Sequence, residues 1–447
     1  MKKKLSVMQL ASLSVMLFGM FFGAGNLIFP VFMGQMAGQN ILPAIVGFIL
    51  SGVALPMLGV VALGRSRCEG LHELSCRVGK PYAFFFTCLL YLTIGPFFSI
   101  PRCASTSFSA GVPLLFPGVN VSLLTLVFTL IFFGAALSIA LRPRNILTYI
   151  GKVLTPAFLV SLGVILVVSI IIPMGSAMDV PATGNYVDNA FVTGVLEGYN
   201  TMDALASLAF GIVVVNVIRG LGIKDSESIA VNTMKAGVFS CLIMAVIYAL
   251  VTLMGARSMG AIPMATNGSE ALGAISAHYF GNFGTLILVI IVTLACFKTA
   301  TGLIISCAQA FVNMFPKGPS YKAWAIGFTA WSFVIANFGL NTIIKWSVPV
   351  LMFLYPLAIT LILLSVFGKA FNYSKIVYVC TTACAFATAL LDLINALPAE
   401  VAVPLNVSAI TEVAAKYLPL YSVGMGWIVP SIVGFVVGLI IYKIRKH

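Results

Sequence analysis

Long apolar runs separated by short polar stretches set the pattern of this chain. A bilayer core about 30 Å thick takes roughly 20 apolar residues of helix to cross. Runs near that length predict twelve spans, close to 5–36, 41–64, 81–111, 121–141, 146–173, 190–219, 232–256, 282–314, 322–338, 340–367, 375–396 and 423–443. The runs are apolar throughout instead of alternating over about ten residues, which excludes a transmembrane β-barrel. The polar stretches 174–189 and 397–422 read as loops rich in Gly, Pro and Asn, and 263–281 is long enough for a short re-entrant or surface helix. No segment has the composition of a separate soluble domain, so 1–447 is expected to be one all-helical integral membrane domain.

Two of the runs are interrupted. The first holds Gly23-Ala24-Gly25-Asn26 at its middle and Pro30 one turn later, residues that loosen, compete with or crowd helical hydrogen bonds. In hydrocarbon, unpaired N–H and C=O groups are tolerated only where they line a cavity or meet a ligand. An interrupted helix at mid-membrane offers amides to a carboxylate and carbonyls to a cation, as in many secondary transporters. Taken alone, the stretch also fits a helix-packing face, because Gly19 and Gly23 are spaced small-xxx-small. The run 190–219 carries Glu197-Gly198-Tyr199-Asn200-Thr201-Met202-Asp203, where Gly198 and Asn200 again weaken the helix. Interrupted spans five apart in order suggest two five-helix repeats, 5–173 and 190–367. The second is inverted because five is odd, and 375–443 adds two extra helices.

Charge then orients the bundle. Of the 25 Lys and Arg, all but Arg102, Arg257, Lys298, Lys345 and Lys416 fall at the N-terminus, the C-terminus or in alternate loops. The positive-inside rule puts those loops and both termini in the cytoplasm. The 60% hydrophobic and 8% charged composition and a mean hydropathy of +1.09 agree with a multi-pass protein of the cytoplasmic membrane. The net charge of +13 resides in short loops rather than on one solvated face, which argues against a nucleic-acid partner. The N-terminal Met1-Lys2-Lys3-Lys4 followed by an apolar run is expected to be a retained first helix, too long for a signal peptide. The nine cysteines fall in spans or inner loops and are expected to be free thiols.

Ionisable residues at membrane depth are costly and usually functional. Arg102, Glu197, Asp203, Lys298, Lys345 and Asp392 are the ones predicted there, and Glu197 and Asp203, on an interrupted span, are the strongest cation or proton candidates. Asp392, near an outer helix end, reads as structural. In the third span Pro96 and Pro101 predict a marked kink whose freed carbonyls need partners, with Arg102 supplying them or forming part of a gate. In the eighth, Ala295, Thr299 and their neighbours are small or hydroxylated and suited to a hard cation, whereas Lys298 brings its own charge. Leu27, Ile28, Tyr199 and Phe97/Phe98 are reasonable walls for an apolar side-chain pocket. Cys68, His72 and Cys76 would share one face only if their loop were helical, and no fourth metal ligand goes with them. No phosphate-binding loop occurs and none of the three histidines lies in a span core, so neither an ATPase partner nor catalysis is expected.

The motifs Phe22-Gly-Ala-Gly-Asn-Leu-Ile-Phe-Pro30, Gly95-Pro-Phe-Phe-Ser-Ile-Pro-Arg102, Gly151-Lys-Val-Leu-Thr-Pro156, Glu197-Gly-Tyr-Asn-Thr-Met-Asp-Ala-Leu205 with Phe210-Gly-Ile212, Ala295-Cys296 through Gly302-Leu303, and Ser347-Val-Pro-Val-Leu351 with Tyr355-Pro356 occur in order. Together they resemble the bacterial branched-chain amino acid:cation symporters along nearly the whole chain. The resemblance implies the five-plus-five inverted-repeat fold shared with neurotransmitter:sodium symporters, and uptake of leucine, isoleucine or valine, usually with sodium. It also implies site roles. The amides of Ala24 and Gly25 would hold the substrate carboxylate, and Gly23 and Gly198–Thr201 would line the site. Asn26 and Thr201 would lend oxygens to one cation. The carbonyls of Gly19 and Phe22, with Ala295 and Thr299, would hold a second, a sodium ion.

Two positions depart from the family's pattern: Lys298, where an uncharged residue, often Thr, is usual, and Ser109, where Glu is usual. Both disfavour a monovalent cation. The Lys298 ammonium is therefore expected to stand in place of sodium, leaving transport proton-coupled or uncoupled. A carrier or exchanger for another apolar amino acid is the near alternative; a channel, which needs a continuous polar lining, is the remote one.

Overall fold

The computed structural model describes residues 5–23, 25–66, 68, 70–141, 146–223 and 225–446, and among them every regular element is helical. The chain opens with α1 (Val7–Phe21), α2 (Gly25–Ala37), α3 (Ile41–Ile49) and α4 (Leu55–Ser66). It continues through α5 (Leu71–Ser75), α6 (Lys80–Leu92), α7 (Ser99–Ser109), α8 (Val112–Leu115), α9 (Val121–Ala140) and α10 (Ile146–Ile171). The second half comprises α11 (Tyr186–Tyr199), α12 (Asp203–Gly220), α13 (Ser226–Ser258), α14 (Gly268–Met314), α15 (Tyr321–Ala336) and α16 (Leu340–Val366). Last come α17 (Lys375–Asn395), α18 (Ala399–Ala402), α19 (Ser408–Tyr417) and α20 (Ile428–Lys446).

Eight helices among the described residues are long and apolar enough to cross a membrane, and the bent pair Tyr186–Gly211 and Val213–Gly220, turned by 46°, would make a ninth. The difference from the twelve expected runs has a physical source. The first run is divided into α1 and a second half that continues through a 3₁₀ turn into the next run, while α15 covers only 16 residues. The segment 263–281 contains a short helix, as its length allowed. It is the start of α14, set off from the span by Gly281 at φ +60°.

Both expected interruptions exist, each displaced from where composition alone put it. The first lies after Phe21, and Gly25, Asn26 and Pro30 already belong to α2. The second lies at Asn200–Met202, with Met202 in the left-handed region at φ +62°, a conformation of appreciable cost outside glycine. Gly198 and Tyr199 close α11 instead. Gly198 serves close approach, since a Cβ there would sit 2.0 Å from Ser51 Oγ. The third run bends once, not at two prolines. A π-turn at Thr93–Phe97 carries the non-helical Gly95, Pro96 lies within it, and Pro101 stands in the first turn of α7, where its missing N–H costs no intrahelical bond.

The helices around these breaks pack through small residues. A Cβ on Gly34 of α2 would lie 2.0 Å from the Thr252 carbonyl oxygen, and one on Gly255 of α13 would lie 2.1 Å from that of Val31. Two backbones that close let van der Waals contact supply association where lipid removes the hydrophobic driving force.

Lys345 departs from its expected depth. It is exposed near the start of α16 and pairs with Glu400 of the short helix α18, so it belongs to the rim. Asp392 is fully buried, facing the backbone amides of Gly426 and Trp427 just before α20. Cys68, His72 and Cys76 do not share a helix face, because α5 covers only Leu71–Ser75 and is preceded by extended Gly70.

Candidate functional site

The two breaks meet. At the first, Phe22 ends α1 by donating its N–H to the Phe18 carbonyl at 2.8 Å, and the next amide, of Gly23, donates to Asn26 Oδ1 at 2.7 Å. Asn26 thereby bridges its own gap. Its Nδ2 donates to Asp203 Oδ2 at 2.5 Å and to the hydroxyl of Tyr248 on α13. The Asn26 oxygen that the resemblance assigns to a cation thus accepts a backbone N–H here. Ala24 lies outside the described residues.

The second break is held by side chains on both flanks. Thr201 Oγ1 donates to the Gly198 carbonyl at 2.8 Å and accepts the Asp203 N–H at 3.3 Å. Asp203 occupies the first turn of α12, where a carboxylate is favoured by the helix N-terminus. Asn200 Nδ2 donates to Glu197 Oε2 at 3.3 Å.

Arg102 of α7 spans the gap. Its Nη1 donates to the Asn200 carbonyl at 2.6 Å and its Nη2 to that of Thr201 at 3.5 Å, while the guanidinium lies 5.1 Å over the Phe29 ring. The carbonyls it partners are those of the second interruption, not of its own kinked helix. Pro96 and Pro101 offer their carbonyls to Ser332 Oγ at 3.4 Å and Ser105 Oγ at 3.2 Å. Gly25 lies close under Arg102, where a Cβ would come within 3.2 Å of Nη2.

On the α1 side stands the other internal cation. Lys298 of α14 points its Nζ at the Gly19 carbonyl, 3.4 Å away. A cation there complements the C-terminal half of α1, whose last carbonyls lack intrahelical donors. Thr299 donates to the Ala295 carbonyl at 3.2 Å, and its Oγ1 faces Gly23, 3.7 Å from where a Cβ would lie. A Cβ at Gly19 would likewise meet Lys298 Nζ at 3.8 Å, so both glycines face α14 at ordinary contact distance.

The structure thus collects residues from five places: Gly19, Phe22, Gly23 and Asn26; Arg102; Asn200, Thr201 and Asp203; Tyr248; and Lys298 and Thr299. The arrangement sets the Arg102 guanidinium and the buried Asp203 carboxylate at the meeting of the two breaks, with Lys298 at the end of α1, so both signs of charge are on hand for a zwitterion. Two members were missed from sequence. Tyr248 caps Asn26, and the fully buried Tyr355 of α16 stacks on Tyr199 with ring centroids 4.0 Å apart. A lone tyrosine in an apolar run was the available signal for Tyr248.

A family model described as branched-chain amino acid transport protein matches residues 6–445. The chain belongs to that family. Among curated relatives it is 48% identical to branched-chain amino acid permease BrnQ of Lactobacillus delbrueckii subsp. lactis, over 98% of this chain and 97% of the relative. It is 40% identical to branched-chain amino acid permease BraB of Bacillus subtilis (99% and 97%), and 38% identical to the branched-chain amino acid transport system 2 carrier protein of Pseudomonas aeruginosa (96% and 95%). The fold is similar to that of Mhp1, a nucleobase-cation-symport-1 family transporter solved closed with bromovinylhydantoin bound. The TM-score is 0.56 at 14% identity, over 96% of this chain and 91% of Mhp1. Family membership and the apolar helices make the chain a multi-pass membrane protein of the branched-chain amino acid transport family, with a fold like that of Mhp1.

Proposed function

We propose that the chain imports leucine, isoleucine or valine across the cytoplasmic membrane by alternating access, with both termini in the cytoplasm and twelve spans arranged as two inverted five-helix repeats plus two. The observation that carries this reading is the meeting of the two breaks through Asn26, Asp203 and Arg102. Unwound segments at mid-membrane cost hydrogen bonds and persist where a polar ligand uses them. The substrate carboxylate goes to the α2 N-terminus at Gly25, beside Arg102, and its amino group faces the Gly198–Thr201 segment. The branched side chain lies toward Leu27, Ile28, Tyr199 and Phe97/Phe98. Discrimination among the three substrates is weak, since one methylene is worth about 1–3 kcal/mol.

Coupling follows from Lys298. Its ammonium at the Gly19 carbonyl takes the position in which the related fold would hold a sodium ion with Phe22, Ala295 and Thr299. Protons, carried by Asp203 with Glu197 as the second carboxylate, then supply the driving ion. Purified protein in liposomes, given labelled leucine, tests both parts. Uptake should saturate, compete with isoleucine and valine, rise with an inward proton gradient and ignore sodium. Absence of saturable leucine uptake would overturn the carrier reading. Strict sodium dependence, unchanged in Lys298→Thr, would overturn the coupling reading alone.

A further inference from the structure

The face that carries most of the Lys and Arg contains a cavity of about 320 Å³ remote from the breaks. It lies where the last turn of α4, the segment after α5, the start of α13 and the α16–α17 connection converge. Two guanidiniums line it, and that of Arg77 is held in place. Arg77 Nη2 donates to the Ser66 carbonyl at 2.7 Å, and the same group lies 4.2 Å over the Tyr373 ring. Tyr373 in turn donates its hydroxyl to the Arg65 carbonyl at 3.3 Å. Among the described residues Arg65 Nε is buried with no hydrogen-bond partner. Two carboxylates complete the lining: Glu227, 3.2 Å from Lys369 Nζ, and Asp225, which caps α13 by accepting the Ser228 N–H at 2.9 Å.

We propose that this cavity binds a hydroxyl-bearing phosphodiester, the headgroup of phosphatidylglycerol. The Arg65 and Arg77 guanidiniums line the cavity together with Lys369, and a phosphate oxygen pairs with guanidinium groups in the bidentate geometry arginine favours. The carboxylates would repel a bare phosphate. They accept hydroxyl protons, however, because each carboxylate has about four lone-pair directions, so a diester carrying a polyol fits both halves of the lining. The cavity sits at the ends of Gly25–Ser66, Glu227–Ser258 and Leu340–Val366, three helices long and apolar enough to cross a membrane. Basic pockets between such helices suit anionic headgroups. The occupant would tie α4 and α13 to the α16–α17 connection.

The test uses the full chain, purified and exposed to vesicles of phosphatidylglycerol, phosphatidic acid or phosphatidylcholine, with retained lipid read by native mass spectrometry. Phosphatidylglycerol should be retained about tenfold over phosphatidylcholine, and Arg65→Gln should remove about that factor, as expected for a lost charge-assisted bond. Glu227→Gln, on an exposed rim, should narrow the preference for phosphatidylglycerol over phosphatidic acid, which has no headgroup hydroxyls. Displacement by soluble glycerophosphoglycerol only at high concentration would support the lipid as source; displacement at trace concentration would overturn the lipid assignment in favour of the free diester. Equal retention of phosphatidylglycerol and phosphatidylcholine, or a preference untouched by both substitutions, would overturn the site.

Discussion

Asn26 Nδ2 donates to Asp203 Oδ2 at 2.5 Å across 177 residues of sequence, so the side chain that bridges one helix break also binds the first residue after the other. The two interruptions are therefore one structural unit. A change at either is felt at both, because the amide's three bonds are shared among Gly23, Asp203 and Tyr248.

Asn26→Ala should abolish saturable leucine uptake and lower stability. The Asp203 carboxylate would lose its bond from Asn26 in a buried setting, a change costing about 1–3 kcal/mol. Thermal melting in detergent, alongside uptake in liposomes, checks it. A variant with normal melting and normal uptake would contradict the unit described above.

Arg102→Lys should be nearly as harmful as Arg102→Gln. The fork that reaches both the Asn200 and Thr201 carbonyls is planar, and an ammonium cannot reproduce it. Uptake at least about tenfold below the parent corresponds to loss of one charge-assisted hydrogen bond. Full activity in the lysine variant would mean that charge alone suffices.

Lys298→Thr should introduce sodium stimulation. Removing the ammonium leaves the Gly19 carbonyl facing a threonine hydroxyl, with Thr299 nearby, a set of oxygens suited to a hard cation. Leucine uptake titrated with sodium in parent and variant is the measurement. Two flat titrations would refute the expectation.

Gly255→Leu should prevent assembly. Even its Cβ would sit 2.1 Å from the Val31 carbonyl oxygen, so α13 and α2 must move apart at a cost of about 1–3 kcal/mol or more. Yield of monodisperse protein and its melting temperature report this. Glycine to alanine at Gly302, where a Cβ meets open space, is the control expected to leave both unchanged.

Glu400→Gln should leave transport and melting at neutral pH unchanged. The Lys345 ammonium holds the Glu400 carboxyl below its usual range, so whatever the pair contributes is present above that range and is lost as pH falls through the lowered value. Both side chains are solvent-exposed, at 47% and 63%, and such pairs contribute little. A clear drop in activity would make this rim pair a gate.

The membrane class, the existence of two breaks and the interior placement of Asp203 and Lys298 were legible from sequence. Those properties are local: apolar length, residues that disfavour helix, and charge inside a run record themselves over a few neighbouring positions. The exact position of each break was not legible. Glycine marks both a place where helix is weak and a place where backbones touch, and Gly198, packed on Ser51, is of the second kind. Nor could sequence separate Lys298 from Lys345, two lysines predicted at the same depth, one directed at the Gly19 carbonyl and the other at the rim with Glu400. The pairings of Arg102 with Asn200, 98 residues away, and of Asn26 with Tyr248 depend on which helices are neighbours. That is set by the summed packing of the bundle, and no window along the chain contains it.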